Sequence, residues 1–389
     1  MLKFQEGSLA IAETIKLCRP EVVAIYPITP QTHIVESLAK FKAKEPVSYE
    51  YVMAESELSA ASIVLGASAT GVRTYTATSS QGLLLMTEVL FNIAGLRLPV
   101  VMTCANRAVS APINIWNDEQ DIMTIRDAGW IILFAESNQE AVDLHIQAYT
   151  IAEKISLPVA VCVDGFALTH TFEPIELRDQ KTIDKFLPKY KPKKETFLDP
   201  KNPITVGGLC APSSYMPIRE SLHQDLLASK KIIKEEFLKF SNLFSIKKSA
   251  DACKISDGLI EYSGPNNPEL VFIASGSVLG TIKSTYDYNL RQKNKIGVLN
   301  IKCLRPFPDE EIVNFISKIK PKNIAVADRS ISLGQTGILF SEIKTACYGK
   351  TEIKIKNFIM GLGGKDITPK DIQNIALNLK SKSEFQFVL

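Results

Sequence analysis

The stretch "EVVAIYPITPQTHIVESLAKFKA" (Glu21–Ala43) predicts a strand, a tight turn and a helix in immediate succession. "EVVAIYP" is an apolar run, and "PQTHIVESLAKFKA" has the periodicity of an amphipathic helix. Pro30 suits the first helical position, and Thr29 before it suits the N-cap. In open α/β sheets such junctions lie at the carboxyl edge, where ligands bind. The stretch therefore predicts either an ordinary capped helix or a binding site for a carboxylate or phosphate.

The same alternation extends through the first 180 residues. Strands are predicted at 72–79, 98–105 and 157–165, and helices at 54–71, 81–96 and 138–155. Continuous apolar strands between helices are typical of a parallel sheet covered on both faces. Residues 178–250 are Lys- and Pro-rich and then form a charged amphipathic helix, and a second α/β pattern follows. We therefore expect an α/β protein divided at 1–177, 178–250 and 251–389.

Composition excludes several classes of function. The chain has 389 residues, 46% hydrophobic and 22% charged, and a net charge of +3 gives no ground for binding nucleic acid or a membrane surface. Its seven cysteines form no C-x-x-C pair, so no cysteine-rich zinc site or iron–sulfur cluster is expected in this chain. Scattered cysteines and the lack of a signal-peptide pattern predict a cytoplasmic protein. The four histidines are dispersed, and no metal site is predicted.

Two glutamates lie near the start of the helix "AESELSAASIVLGASATG". At helical spacing Glu57 shares a face with Ala60, Ala61 and Val64, whereas Glu55 shares a face with serines. A carboxylate on the small, apolar face is expected to be desolvated and to need a specific partner. The alternative is a mostly solvated helix with Glu57 exposed.

Arg107 follows a buried strand in the loop "TCANRAVSAP". An arginine at that position can bind a carboxylate with its planar fork, and a surface arginine is the alternative. Ser79, Ser80 and Gln81 occupy another strand-to-helix junction. Several such junctions in one sheet would converge on one pocket.

The motifs together resemble the α subunit of the pyruvate:ferredoxin oxidoreductases, within the 2-oxoacid:ferredoxin oxidoreductase family. The resemblance covers nearly the whole chain apart from the Lys-rich connector. It is carried by "YPITPQT" (26–32), "ESELSAASIVLGASATGVRTYTATSSQGLLLM" (55–86), "ANRAVSAPINIWNDEQD" (105–121), "VDGF" (163–166), "RPFPDEEI" (305–312) and "GLGGKDIT" (361–368).

This resemblance implies a fold and roles for individual residues. It implies a pyrimidine-type thiamine diphosphate domain followed by a smaller domain like the transketolase C-terminal domain. Glu57 matches the catalytic glutamate that hydrogen-bonds the cofactor's aminopyrimidine, so that the cofactor can lose its thiazolium C2 proton. Glu55 is the alternative candidate for this role. Thr29 and Arg107 match residues that hold the substrate carboxylate, and Pro27, Ile28 and Thr29 would contact the cofactor.

What the sequence lacks also bears on function. It has no G-x-G-x-x-G or Walker A motif, and it lacks the Gly-Asp-Gly…Asn motif that binds Mg2+ and diphosphate in such enzymes. The resemblance therefore implies half of an active site. A β-type subunit would supply Mg2+ binding and a [4Fe-4S] cluster, with γ- and δ-type subunits beside it, coenzyme A as co-substrate and ferredoxin (or flavodoxin) as electron acceptor.

Three other functions stay open at this point. Branched-chain 2-oxoacids or 2-oxoglutarate could replace pyruvate as the substrate, although "SAPINIW" looks pyruvate-like. A non-catalytic scaffold subunit is an alternative from a different class. A transketolase-like enzyme acting alone conflicts with the missing diphosphate motif.

Overall fold

The computed structural model describes residues 2–193, 197–245, 254–380 and 383–389. Two seven-stranded sheets and a two-stranded ribbon account for its strands. In chain order the elements are β1 (Leu2–Glu6), α1 (Gly7–Cys18), β2 (Val22–Ile25), α2 (Thr32–Lys44), β3 (Glu50–Met53), α3 (Glu57–Ala69), β4 (Thr74–Thr78), α4 (Ser80–Gly95), β5 (Val101–Asn106), α5 (Gln120–Thr124), β6 (Ile131–Phe134), α6 (Asn138–Ile155), β7 (Val159–Asp164), β8 (Phe172–Glu176), α7 (Gln180–Phe186), α8 (Pro212–Leu243), β9 (Lys254–Ser256), β10 (Ile260–Ser263), β11 (Leu270–Ala274), α9 (Val278–Thr285), α10 (Tyr288–Asn294), β12 (Ile296–Ile301), β13 (Cys303–Arg305), α11 (Asp309–Ile319), β14 (Asn323–Asp328), α12 (Ile338–Cys347), β15 (Lys354–Ile359), α13 (Pro369–Leu377) and β16 (Phe385–Phe387).

The first sheet has the order β3-β2-β4-β5-β7-β6-β13, and every pair except β6–β13 is parallel. β4, β5, β6 and β7 are buried along their whole length, which is typical of strands covered on both faces of a parallel sheet. One hydrophobic cluster packs α1, α2 and α6 on one face, and a second packs α3, α4 and α5 on the other. The predicted two-sided parallel sheet is confirmed.

The second sheet has the order β16-β15-β14-β11-β12-β10-β9, with β10 antiparallel to both of its neighbours. At one edge of this sheet, β16 pairs in parallel with β15. The segment "KIGVLNIKCLRPF" forms two strands, β12 and β13, and β13 pairs with β6 of the first sheet. The division at 1–177, 178–250 and 251–389 stays a prediction.

The connector lies against the first sheet and its helices. Leu198 donates a backbone hydrogen bond to Ala69, and Asp179 caps the short helix α7, which was not predicted within this extended segment. The predicted amphipathic helix is present as α8, with 32 residues. Its charged residues form ion pairs on both sides, because Glu236 contacts Lys154 of α6 and Lys230 contacts Asp309 of α11.

None of the helices in the described ranges combines the length and the apolar character needed to cross a membrane.

Candidate active site

The predicted site residues come from neighbouring strands of the first sheet. β3, β2, β4 and β5 are adjacent and parallel, so their carboxyl ends share one edge. Glu57 follows β3, Thr29 follows β2, Ser80 follows β4 and Arg107 follows β5, while Asp164 ends β7 next to β5. The fold therefore collects these residues at one edge of the sheet, as predicted.

The Tyr26–Pro30 turn differs from its prediction. α2 begins at Thr32 and not at Pro30, so Thr29 is not its N-cap. The hydrogen bonds of Gln31 account for this later start. Its backbone N–H donates to the Ile28 carbonyl (2.8 Å). Its buried side chain donates to the Ala77 carbonyl (2.7 Å) and accepts from the Ile28 N–H (3.3 Å). The chain makes one more turn before the helix starts. The sequence offered no signal for this, because Ala77 lies on another strand.

The resulting turn leaves most of its residues accessible to solvent. Pro30 is buried and packs against Gly165, where an added Cβ would lie 2.5 Å from its Cγ. Pro27 and Thr29 are exposed, and Ile28 is partly buried. The anchored Pro30 thus holds a turn whose tip faces away from the core.

Glu57 is the first residue of α3, whose N-cap Ser56 accepts a hydrogen bond from the Ser59 N–H. Its side chain is only 7% exposed, and Ala60, Ala61 and Val64 on the same face are fully buried. Hydrogen-bond donors to its carboxylate are absent throughout the part of the chain that the structure describes. A buried carboxylate without a donor is costly, so this arrangement favours a ligand that donates a hydrogen bond.

The surroundings of Glu57 are tightly shaped. An added Cβ at Gly82 on α4 would lie 2.6 Å from Glu57 Oε1 and 2.6 Å from Thr78 Oγ1. The Thr78 hydroxyl is itself buried and has no partner within the described ranges. Any residue with a Cβ at position 82 would displace the Glu57 carboxylate.

Glu55 has the opposite environment. Its carboxylate is exposed and accepts a 2.6 Å hydrogen bond from the Ser59 hydroxyl, which lowers the pKa of Glu55. Because this carboxylate is solvated and already bonded, the geometry favours Glu57 over Glu55 as the group that meets a buried ligand.

Arg107 is 7% exposed and is held on three sides. Its Nη1 donates to the Thr29 carbonyl (2.9 Å), its Nε donates to the Asn114 carbonyl (2.9 Å), and its backbone N–H donates to Asp121 Oδ2 (3.0 Å). Burial lowers the pKa of Arg107, and the nearby charge of Asp121 opposes this shift. Nη2 bonds to none of the residues in the described ranges. The structure therefore brings Arg107 and Thr29 together, and the guanidinium keeps a donor for an anion.

Asp121 is the residue that sequence reasoning missed. It is fully buried, and its carboxylate accepts from the backbone N–H groups of Ser80 (2.9 Å) and Arg107 (3.0 Å) and from Asn106 Nδ2 (2.8 Å). Burial raises the pKa of Asp121 to about 6, against these hydrogen bonds, which lower it. Asp121 thus joins the start of α4, which carries Gly82, to the loop that carries Arg107.

The glycine-rich segment "GLGG" also reaches this site. Asn114 Nδ2 donates to the Gly363 carbonyl (3.0 Å), and the Gly363 N–H donates to Asp118 (3.0 Å). Gly363 has φ +58°, and an added Cβ there would lie 2.5 Å from Asn114 Nδ2. Since Asn114 in turn accepts from Arg107, the second sheet supports the arginine through this contact.

A buried ionic network joins the two sheets beside the site. Asp164 of the "VDGF" motif accepts from Arg329 and from the Ser277 N–H, and Glu119 accepts from the Ser275 hydroxyl. Burial raises the pKa of Glu119 well above its usual range. The network fixes how the second sheet meets the edge of the first.

Comparison with known proteins decides the family. The profile described as "Pyruvate flavodoxin/ferredoxin oxidoreductase, thiamine diP-bdg" matches residues 13–237. The chain belongs to this family. The profile "Pyruvate:ferredoxin oxidoreductase core domain II" matches residues 268–372.

Similar proteins match this oxidoreductase chain over almost its full length. "Pyruvate synthase subunit PorA" of Methanocaldococcus jannaschii is 45% identical, over 98% of this chain and 96% of that protein. "Ketoisovalerate oxidoreductase subunit VorA" of Pyrococcus abyssi is 40% identical, over 98% and 94%.

Solved structures agree on the fold. A 2-oxoglutarate:ferredoxin oxidoreductase from Magnetococcus marinus has a TM-score of 0.71 at 20% identity, covering 97% of this chain and 65% of that chain. A split-gene transketolase has a TM-score of 0.55 at 10% identity, covering 97% and 98%. These likenesses confirm the thiamine diphosphate-type α/β fold that the motifs predicted.

The residues present fit one half of a thiamine diphosphate site. The aminopyrimidine of that cofactor presents hydrogen-bond donors and acceptors, and Glu57 offers a buried acceptor that lacks a donor in the described ranges. The unpartnered Thr78 hydroxyl next to it is a further buried polar group at this position.

Proposed function

We propose that this chain is the α subunit of a pyruvate:ferredoxin oxidoreductase. The reaction is the reversible oxidative decarboxylation of pyruvate with coenzyme A to acetyl-CoA and CO2, with electrons passed to ferredoxin. The observation that carries the proposal is the buried, donor-free carboxylate of Glu57 at the sheet edge that also holds Arg107, in a chain 45% identical to a pyruvate synthase subunit.

Bound thiamine diphosphate would supply the nucleophilic carbon and the electron sink for decarboxylation. Glu57 would accept a hydrogen bond from its aminopyrimidine and so hold the proton arrangement that activates it. The tip of the turn, with Pro27, Ile28 and Thr29, would line the same pocket. The Glu57 side chain is only 7% exposed, and this limited contact with water would strengthen that hydrogen bond.

Arg107 and Thr29 would hold the substrate carboxylate. Arg107 donates a hydrogen bond to the Thr29 carbonyl, so its unengaged Nη2 and the exposed Thr29 side chain belong to residues in direct contact. A charge-assisted hydrogen bond from a partly desolvated guanidinium is a strong contact for a small carboxylate. Asp121 and Asn114 would keep the arginine in place before substrate arrives.

Pyruvate is the substrate favoured by the relatives. The pyruvate synthase subunits are 41–45% identical to this chain, and the ketoisovalerate subunits are 40% identical. Branched-chain 2-oxoacids remain the second candidate, and 2-oxoglutarate the third. Ferredoxin reduction measured with each 2-oxoacid separates them, and turnover with 2-oxoisovalerate but not with pyruvate would reject the first choice.

The missing half of the site is proposed to lie on partner subunits. A β-type subunit would carry the Mg2+–diphosphate motif and a [4Fe-4S] cluster, and γ- and δ-type subunits would complete a cytoplasmic complex that acts on ferredoxin or flavodoxin. Residues 1–177 would hold the aminopyrimidine, with 178–250 packed on them, and 251–389 would serve assembly and access of coenzyme A. The isolated chain is then expected to show no turnover.

The decisive experiment compares Glu57→Ala with Glu55→Ala in the reconstituted complex. Glu57→Ala should lower pyruvate-dependent ferredoxin reduction by several orders of magnitude, on the scale of about 10²–10⁴-fold for a lost proton-transfer partner. Glu55→Ala removes an exposed carboxylate two positions away and should leave the rate unchanged. Full activity of the Glu57→Ala complex would instead favour a non-catalytic scaffold.

A further inference from the structure

Three residues far apart in the sequence meet near the turn, outside the proposed active site. Glu6 ends β1, His33 is the second residue of α2, and His170 lies between β7 and β8. Each offers one ligand atom, and these atoms all lie within 4.8 Å of one another. The dispersed histidines of the sequence therefore include a spatial pair that sequence analysis did not predict.

Hydrogen bonds orient both rings of this Glu6–His33–His170 cluster. His33 Nδ1 lies 2.6 Å from Glu6 Oε1. Because a carboxylate only accepts, the proton between them lies on His33 Nδ1, and an ion bound by both groups would replace that proton. His170 Nδ1 lies 2.7 Å from the Thr169 hydroxyl, which can accept from it in the same way. Metal-binding histidines commonly donate their second nitrogen to an oxygen in this manner.

The backbone around the cluster is also fixed. The Ser8 N–H and hydroxyl both donate to the Thr169 carbonyl, at 3.0 and 2.8 Å, which ties the end of β1 to the His170 segment. The two imidazole centroids are 4.4 Å apart, and the Phe166 ring lies 4.6 Å from that of His170. The His33 side chain is 47% exposed, so water can reach this side of the cluster.

We propose that the Glu6–His33–His170 cluster binds one divalent transition-metal ion of the zinc class. Two imidazoles and one carboxylate form a donor set that suits Zn2+ and not Mg2+ or Ca2+. Nitrogen and oxygen ligands about 2.0–2.2 Å from zinc stand roughly 3.4 Å apart, so ligand atoms now up to 4.8 Å apart must approach by up to about 1.4 Å, whereas Glu6 Oε1 and His33 Nδ1, now 2.6 Å apart, must separate slightly. A small shift of the exposed His33 side chain accommodates the ion, and water completes the coordination.

The ion would join β1, α2 and the loop after β7. His33 lies four residues after Thr29, so the same ion would restrain the Pro27–Thr29 turn from its far end. The inference does not depend on the proposed function, because none of the three ligands is Glu57, Thr29 or Arg107.

The test is a ZnCl2 titration of the purified full-length chain by calorimetry, in a reducing buffer that does not chelate. Wild-type protein should bind one Zn2+ at this site, and His33→Ala and His170→Ala should each weaken that binding at least about tenfold. His223→Ala removes an exposed histidine of α8 and serves as the control. Binding of Mg2+ is not expected.

A thermal melt with and without ZnCl2 keeps the test interpretable for each variant. The melting temperature of wild-type protein and of His223→Ala should rise with Zn2+, whereas that of the His33→Ala/His170→Ala double variant should not. Equal Zn2+ affinity in wild-type and double-variant protein would overturn the proposal. So would failure of the wild-type chain to bind Zn2+ at all.

Discussion

Gly82→Ala places one methyl group where the Glu57 carboxylate lies. The new Cβ would stand 2.6 Å from Glu57 Oε1 and 2.8 Å from Glu57 Cγ, whereas ordinary contact begins at 3.4 Å. The carboxylate must therefore move by roughly 0.8 Å to restore ordinary van der Waals separation. Thr78 Oγ1, also 2.6 Å from the methyl group, limits where the side chains can move.

Stability and activity should respond differently to this change. Overpacking costs about 1–3 kcal/mol, but alanine is favoured over glycine inside a helix by about 1 kcal/mol. The net loss of unfolding free energy should thus stay below about 2 kcal/mol. A displacement of about 1 Å in a reacting group, by contrast, costs on the order of 100-fold in rate.

The assay is pyruvate-dependent ferredoxin reduction by the reconstituted complex, with a denaturant melt of each variant. Gly66→Ala is the matched control, because Gly66 lies within α3 and a Cβ there meets nothing within 4 Å. It should keep full activity and gain up to about 1 kcal/mol of stability. Wild-type kcat in Gly82→Ala would refute the argument that the position of Glu57 controls the reaction.

Three further outcomes follow from the geometry. Arg107→Ala should raise KM for pyruvate at least about tenfold with a smaller change in kcat, because a charge-assisted hydrogen bond is lost. If steady-state kinetics showed KM and kcat both unchanged, Arg107 would not bind the substrate carboxylate. Gly363 has φ +58°, and an added Cβ there would press on Asn114 Nδ2. Gly363→Ala should therefore raise KM for pyruvate less than Arg107→Ala does, and it should lower the unfolding free energy by about 1–3 kcal/mol. The same kinetics and a denaturant melt measure these two effects. Burial raises the pKa of Asp328 to about 7, so the native state binds this proton more tightly than the unfolded chain. Its stabilising contribution is present below about pH 4 and is lost as the pH rises to about 7, at up to about 1.4 kcal/mol per pH unit. Asp328→Asn should flatten the dependence of the unfolding free energy on pH in that window. An unchanged slope would contradict the assignment.

Features that depend on local pattern were predictable from the sequence. Strands were predicted where β4, β5 and β7 lie, and α6 was predicted with the bounds that the structure gives. Helical spacing placed Glu57 on one face with Ala60 and Ala61, and the structure buries that face. The choice of Glu57 over Glu55 as the catalytic glutamate came from the family resemblance, and that role is a proposal.

Features that depend on long-range partners were not predictable. The start of α2 is set by contacts of Gln31 with another strand, and Asp121 accepts from backbone groups at the start of α4 and in the loop after β5. β13 joins the first sheet although its sequence continues the second α/β pattern. No local propensity carries this information, because each contact is fixed only when the sheets pack.

The central claim is that Glu57 controls the proton arrangement of the bound cofactor. Exchange of the thiazolium C2 proton of bound thiamine diphosphate with deuterium, followed by NMR in the reconstituted complex, measures this without substrate. Glu57→Gln should slow the exchange by about 10²–10⁴-fold while thiamine diphosphate stays bound, and Glu55→Gln should not change it. An exchange rate in Glu57→Gln equal to that of the wild-type complex would contradict the account.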